Sequence, residues 1–193
     1  MPESHNRDTQ TTFISMQGIS KQFPGVLAND RIDLQIHRSE IHVLLGENGA
    51  GKSTLMKILY GFYRADSGQI LHQGTPYTIL SPQDARAIHI GMVFQDLNLI
   101  PALSVAENIA LFLPDLPAVL KTREIEERID EISRRYNLHV NPQAMVSQLS
   151  IGEQQKVEIL KLLLSDARLL ILDEPTRVLA PHEVDGLFSV LDR

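Results

Sequence analysis

The sequence predicts an α/β fold with a mainly parallel core sheet. Short apolar runs alternate with helix-periodic segments, and a glycine-rich loop lies between one such run and one such helix. A second apolar run ends abruptly in Asp173-Glu174-Pro175, as a strand leaving a sheet does. At 193 residues the chain is long enough to bury a core as one domain. No internal repeat or low-complexity tract divides it.

Residues 12–16 (TFISM) and 31–36 (RIDLQI) alternate enough apolar side chains to form half-buried strands, joined through a turn at Pro24-Gly25. Residues 41–45 (IHVLL) predict a buried strand that stops at Gly46. Residues 52–60 (KSTLMKILY) then carry Leu55, Met56, Ile58 and Leu59 at helical spacing. Further strands are expected at 69–71, introduced by a turn at Asp66-Ser67-Gly68, and at 90–94. Beyond Phe94 the prolines 101, 114 and 117 break the chain, and the charged stretch Thr122–Tyr136 reads as a helix. Thr122 can cap it, Glu124 suits its first turn, and Ile125, Ile129 and Ile132 share one face. Residues 98–146 are expected to form a mainly helical insert, leaving 1–97 and 147–193 as a core. A helix over 152–164 follows Leu149-Ser150, residues 168–172 predict a buried strand, and Pro181 opens a last helix.

Composition excludes several classes of function. Without cysteine there is no disulfide framework, thiolate metal site or cysteine nucleophile, and a reducing compartment is the expectation. The opening MPESHNRDTQ lacks the apolar run of an export signal. No apolar stretch approaches the roughly 20 residues that cross a bilayer. A formal net charge of −6 argues against general nucleic-acid binding.

The chemistry lies in a few motifs. Gly46-Glu47-Asn48-Gly49-Ala50-Gly51-Lys52-Ser53 fits G-x-x-x-x-G-K-[ST], between an apolar run and a helix as a phosphate loop requires. Glycines let main-chain N–H groups wrap a triphosphate at the positive end of a helix. Lys52 adds a charge for the β- and γ-phosphates, Ser53 a hydroxyl for Mg²⁺, and Thr54 support on the α- and β-phosphate side. The plain alternative is a loop that merely turns the chain. Asp173, at the end of its apolar run, suits a carboxylate for the same Mg²⁺, and Glu174 would orient and deprotonate an attacking water. Ser150, Gly152 and Glu153 at a helix start suit an anion site, although Ser150 with Glu153 also reads as an ordinary capping box.

With these motifs in one order, the chain resembles ATP-binding-cassette proteins over nearly its whole length. Leu149-Ser150-Ile151-Gly152-Glu153-Gln154-Gln155 looks like the family's LSGGQ signature, which presses on the γ-phosphate held by an opposite cassette. The resemblance implies a P-loop NTPase fold of the ABC type, with an N-terminal antiparallel β portion and the helical insert. It implies ATP and Mg²⁺ as cofactors and a head-to-tail pair with a second cassette. Gln95 matches the family's Q-loop glutamine, which contacts Mg²⁺ and water and links the site to transmembrane permease subunits through residues 97–113. Phe23 resembles the aromatic that stacks on adenine, with a core phenylalanine as the rival reading. The wording of residues 23–28, 46–60, 150–158 and 172–176 looks like that of the simple-sugar and nucleoside importers.

That resemblance implies an ATP-hydrolysing importer subunit, cytoplasmic and peripheral on the inner face of the membrane. It would serve a solute-binding protein indirectly and use no nucleic acid. Two rivals stand beside it: a module that binds ATP with negligible turnover, and a soluble cassette acting on ribosomes or nucleic acid. The chain departs from the family pattern in places. It ends at Arg193, short of the family's switch histidine, so a C-terminally incomplete first cassette is expected; His182 reads as a surface histidine. Arg177-Val178-Leu179-Ala180 stands where the family has a D-loop, with Ala180 in place of its aspartate.

Overall fold

In the computed structural model, residues 12–113 and 122–173 are described. They fall into two compact units that divide between Ile88 and His89. The expectations for a helix opened by Pro181 and for the stretch after Asp173 lie outside the described residues.

The first unit is built on an antiparallel sheet in the order β2-β1-β3-β4. Strands β1 (Thr12–Phe23) and β2 (Val26–His37) run well beyond the expected segments and pair as a hairpin closed by Phe23 and Val26. Pro24-Gly25 fills the two-residue turn, where proline presets the first position and glycine accepts the left-handed second one. Strand β3 (Ser67–His72) pairs with β1, and the short β4 (Thr75–Pro76) with β3. Ser67-Gly68 therefore belongs to a strand and not to the expected turn. Gly68 sits at φ 96°, where a Cβ would lie 2.6 Å from the carbonyl oxygens of Gln17 and Gly18, so it serves a close backbone crossing at an irregularity in the ladder. Asp66 ties the same end of β1 by accepting from the Gln22 N–H at 2.7 Å and the Lys21 ammonium at 2.8 Å. Helix α1 (Lys52–Leu59) buries Leu55, Ile58 and Leu59, the apolar stripe expected from their spacing. Helix α2 (Pro82–Ala87) starts at a Ser81 cap with proline in its first turn.

A further expectation fails in this unit. Residues 41–45 form no strand, and Ile41, Val43 and Leu45 are 52%, 65% and 85% exposed. Alternating apolar residues state what a strand would bury, but a strand exists only when neighbouring backbone takes its N–H and C=O groups. Among the described residues none pairs with this run.

The second unit holds the parallel pairing: β5 (Ile90–Val93) lies beside β6 (Leu169–Leu172), with Val93 opposite Leu172. Helices α3 (Val105–Phe112), α4 (Thr122–Tyr136) and α5 (Ile151–Leu164) pack a core of Val93, Val105, Ile109, Ile129, Val157 and Leu160. Helix α4 has the bounds expected from sequence, with Ile125 and Ile129 buried and Ile132 packed at the margin; Thr122 is its first residue. Only Ile171 of β6 is fully buried, so that strand is less enclosed than its composition suggests.

Candidate functional site

In the first unit the glycine loop leads into α1 through Gly51, which stands before the helix at φ 84° with no side-chain cap. The first turn of α1 carries no acidic residue. The first N–H groups of a helix have no partner within it, and here the helix's own first turn supplies no carboxylate to its positive end. Inside the loop, the Ala50 N–H donates to the Glu47 carbonyl at 3.2 Å. The Lys52 ammonium donates to the carbonyls of Gly46 at 2.8 Å and Glu47 at 2.9 Å, folding back over the loop. Gly49, at φ 84°, would project a Cβ that meets no atom of the described residues within 4 Å. An open ring of main chain, a lysine held across it and an acid-free helix start fit a polyphosphate. Glu47, Asn48, Ala50, Ser53 and Thr54 occupy the loop and first-turn positions that their motif assigns.

Gly51 itself is fixed from β2. A Cβ there would lie 2.0 Å from the Ala28 carbonyl oxygen, closer than any side chain permits. The Asn29 amide donates to the Gly51 carbonyl at 3.2 Å. Asn29 escaped sequence reading: it lies before the expected strand at 31–36, and its burial emerges only in the fold.

Phe23, half-buried at the hairpin end, meets Tyr63 edge to face with centroids 5.3 Å apart, and the Lys21 ammonium lies 5.5 Å from its ring. Tyr63, 37% exposed, is a second aromatic that the sequence reading passed over.

In the second unit Gln95 and Asp173 follow the C-terminal ends of adjacent parallel strands. The Asp173 N–H extends the ladder by donating to the Val93 carbonyl at 3.2 Å. The two residues therefore lie just beyond the same end of the strand pair, Gln95 exposed and Asp173 half-buried. Two buried side chains, Lys161 and Asn108, help to anchor the chain after Gln95. Lys161, buried in α5, donates to the Asn98 carbonyl at 3.1 Å and to buried Glu158 at 2.9 Å. Asn108 accepts from the Ile100 N–H at 2.7 Å and donates to its carbonyl at 3.1 Å. Neither anchor was foreseen, though Glu158 and Lys161 stand one helical turn apart in the sequence.

The signature-like residues open α5. Ser150 is its N-cap and makes a full capping box: its hydroxyl accepts from the Glu153 N–H at 3.2 Å, and the Glu153 carboxylate accepts from the Ser150 N–H at 2.8 Å. The plain reading of this pair is thus realised in the fold. That N–H first, and then the Ser150 hydroxyl, hold the Glu153 carboxyl below the usual carboxylate range. Gly152 is buried in the first turn. Glu174, the D-loop stretch Arg177 to Ala180, and His182 lie outside the described residues.

Among the described residues no group of three or more His, Asp or Glu side chains could hold a metal by itself. A magnesium ion on a phosphate loop needs no such group, since it takes one or two protein ligands and fills its shell from phosphate and water. No helix among the described residues is long and apolar enough to cross a membrane.

The family described as ABC transporter matches residues 29–177. The chain is 48% identical to the glucose import ATP-binding protein TsgD13 of Haloferax volcanii, over 96% of this chain and 39% of that protein. It is 45% identical to the guanosine import ATP-binding protein NupO of Bacillus subtilis, over 92% and 35% of the two chains. The ribose import ATP-binding protein RbsA 1 of Rubrobacter xylanophilus is 46% identical over 93% and 36%. The chain thus spans well under half the length of these relatives. Among solved structures, MJ1267, an ATP-binding cassette of an ABC transporter in its ADP conformation, matches with a TM-score of 0.81 at 22% identity, covering 94% of this chain and 76% of that one. The cbiO1 protein of Clostridium perfringens, part of the cbiONQ transporter complex, matches with a TM-score of 0.78 at 29% identity, over 94% and 73%.

Proposed function

The chain belongs to the ABC transporter family and has the P-loop fold of its ATPase cassettes, and from that premise we propose that it binds and hydrolyses ATP to drive an importer of simple sugars or nucleosides. Proteins of this family bind ATP and use Mg²⁺ in its hydrolysis. The observation that carries the cargo class is the match to import ATP-binding proteins for glucose, guanosine and ribose, at 45% to 48% identity across nearly all of this chain.

In this reading the main-chain N–H groups of residues 49–53 and the Lys52 ammonium hold the triphosphate, and Ser53 and Asp173 hold the metal. Mg²⁺ held there would supply positive charge against the charge of the triphosphate. Lys52 must release the carbonyls of Gly46 and Glu47 to reach phosphate, exchanging neutral acceptors for charged ones, a favourable trade. Gln95 and Glu174 orient the attacking water, and Glu174 takes its proton. Phe23 offers a ring to adenine, with Tyr63 setting its tilt.

The rest of the organisation belongs to the same proposal. Residues 1–97 and 147–193 form the nucleotide-binding core and 98–146 the helical insert. Ser150 and Gly152 face the nucleotide of a second cassette, and the segment from Gln95 to Leu113 carries closure to permease subunits at the inner face of the membrane. Ile100 and Leu111, 47% and 51% exposed, give that segment apolar contact points. Phosphate release from Mg-ATP tests the reading. Glu174→Gln should abolish turnover while a direct titration still shows nucleotide binding; unaltered turnover would remove Glu174 from the chemistry.

A further inference from the structure

Asn29 is 5% exposed on β2, a strand whose neighbouring positions are largely open to solvent. Only half of its amide is used: the nitrogen donates to the Gly51 carbonyl, while the buried Oδ1 has no hydrogen-bond partner among the described residues. A buried acceptor left unpaired is destabilising, so folding alone does not favour asparagine over an apolar residue here.

The Gly51 carbonyl also accepts from the Leu55 N–H at 2.9 Å, closing the first turn of α1. Two donors therefore fix the direction of one carbonyl. The Gly51–Lys52 peptide is trans and planar, so its N–H points opposite to that carbonyl. This N–H belongs to Lys52, the first residue of α1, and has no partner within the helix. Gly51 has the conformational freedom of any glycine, and contact with Ala28 blocks its displacement only towards β2. The Asn29 hydrogen bond opposes rotation of the peptide plane itself.

We propose that Asn29 is a positioning residue for nucleotide binding: by holding the Gly51 carbonyl from β2, it aims the Lys52 main-chain N–H at the bound polyphosphate. The proposal rests on the phosphate-loop reading of residues 46–53. It differs from a structural role in one respect that can be measured. Replacing Asn29 by leucine, similar in volume and without polar atoms, removes the unpaired Oδ1 together with the donor. Stability of the nucleotide-free chain is then held or raised while affinity falls.

The test is a direct titration of the chain with Mg-ATP, alongside thermal melting without nucleotide. Asn29→Leu is expected to weaken Kd about 3- to 10-fold, the range set by one net hydrogen bond, with Tm equal to or above the parent's. Asn29→Ala, which fills the site differently, should lose affinity to the same extent even if it melts earlier. Lys52→Ala in the same titration separates the two levels of the argument. If Lys52→Ala weakens binding and either Asn29 variant binds within twofold of the parent, the positioning role is overturned and the phosphate loop stands. If Lys52→Ala binds like the parent, the phosphate-loop reading fails and takes the proposal with it.

Discussion

Helices α1 and α5 both begin at motifs read from sequence as anion sites, yet their first turns are finished in opposite ways. Helix α1 starts from a glycine with no side-chain cap and no acid in its first turn. Helix α5 starts from Ser150 with a complete capping box, and Glu153 places a carboxylate over its own N-terminal amides. Helix α3 repeats the second arrangement with Ser104 and Glu107. A capping box satisfies a helix end from within, whereas the start of α1 has neither a side-chain cap nor an acid in its first turn to answer its amides and positive potential. The uncapped start of α1 is the one that fits the proposed phosphate loop.

The largest effect expected from this contrast comes from closing the open terminus. Gly51→Ala forces alanine into a left-handed conformation, costing about 1–3 kcal/mol, and drives its Cβ against the Ala28 carbonyl. It should lower Tm and abolish measurable Mg-ATP binding; an alanine variant that binds normally would show that the loop does not need its present shape. Next is Lys52→Ala, which removes the charged donor and should weaken Mg-ATP about 10- to 100-fold by titration, as expected for hydrogen bonds from a charged group, with little change in melting.

The two capped helices supply a paired test. Ser104→Ala and Ser150→Ala should each destabilise by about 1 kcal/mol in denaturant melts. Only the second should also slow phosphate release if the α5 start faces nucleotide. Equal, unaltered turnover in both would reduce Ser150 to a cap.

The smallest effect is in pH. The Glu153 carboxyl has an ordinary value of 4.5 and is lowered in the folded chain, chiefly by the Ser150 N–H. Its contribution to stability is present above the unfolded value and is lost as pH falls through the lower folded one. Glu153→Gln keeps a weaker capping box without the charge. The variant's Tm should therefore fall less than the parent's on acidification below about pH 4.5; identical acid profiles would mean that the carboxylate contributes nothing as an anion.

Local signals carried over well into structure. The spacing of Ile125 and Ile129 located α4, and the glycine loop before Lys52 located the start of α1, because a helix and its cap are decided within a few residues. What failed depends on partners distant in sequence. Residues 41–45 have the pattern of a strand and no pairing neighbour among the described residues, and Ser67-Gly68 has turn composition but is recruited into β3 by β1. Of the candidate site, the loop, Gln95 and Asp173 were legible as motifs. Asn29, Tyr63 and Lys161 were not, since each matters through a contact that no single stretch of sequence encodes.

The buried cation of Lys161 has a mechanical consequence. It is shared between Glu158 on its own helix and the Asn98 carbonyl, with the Phe112 ring 5.1 Å away. Pulling Asn98 free would strand part of a positive charge in a dry interior, which is costly. The chain at Asn98 is therefore tied to α5 through a buried ammonium, and separating the two carries an electrostatic cost beyond that of one neutral hydrogen bond.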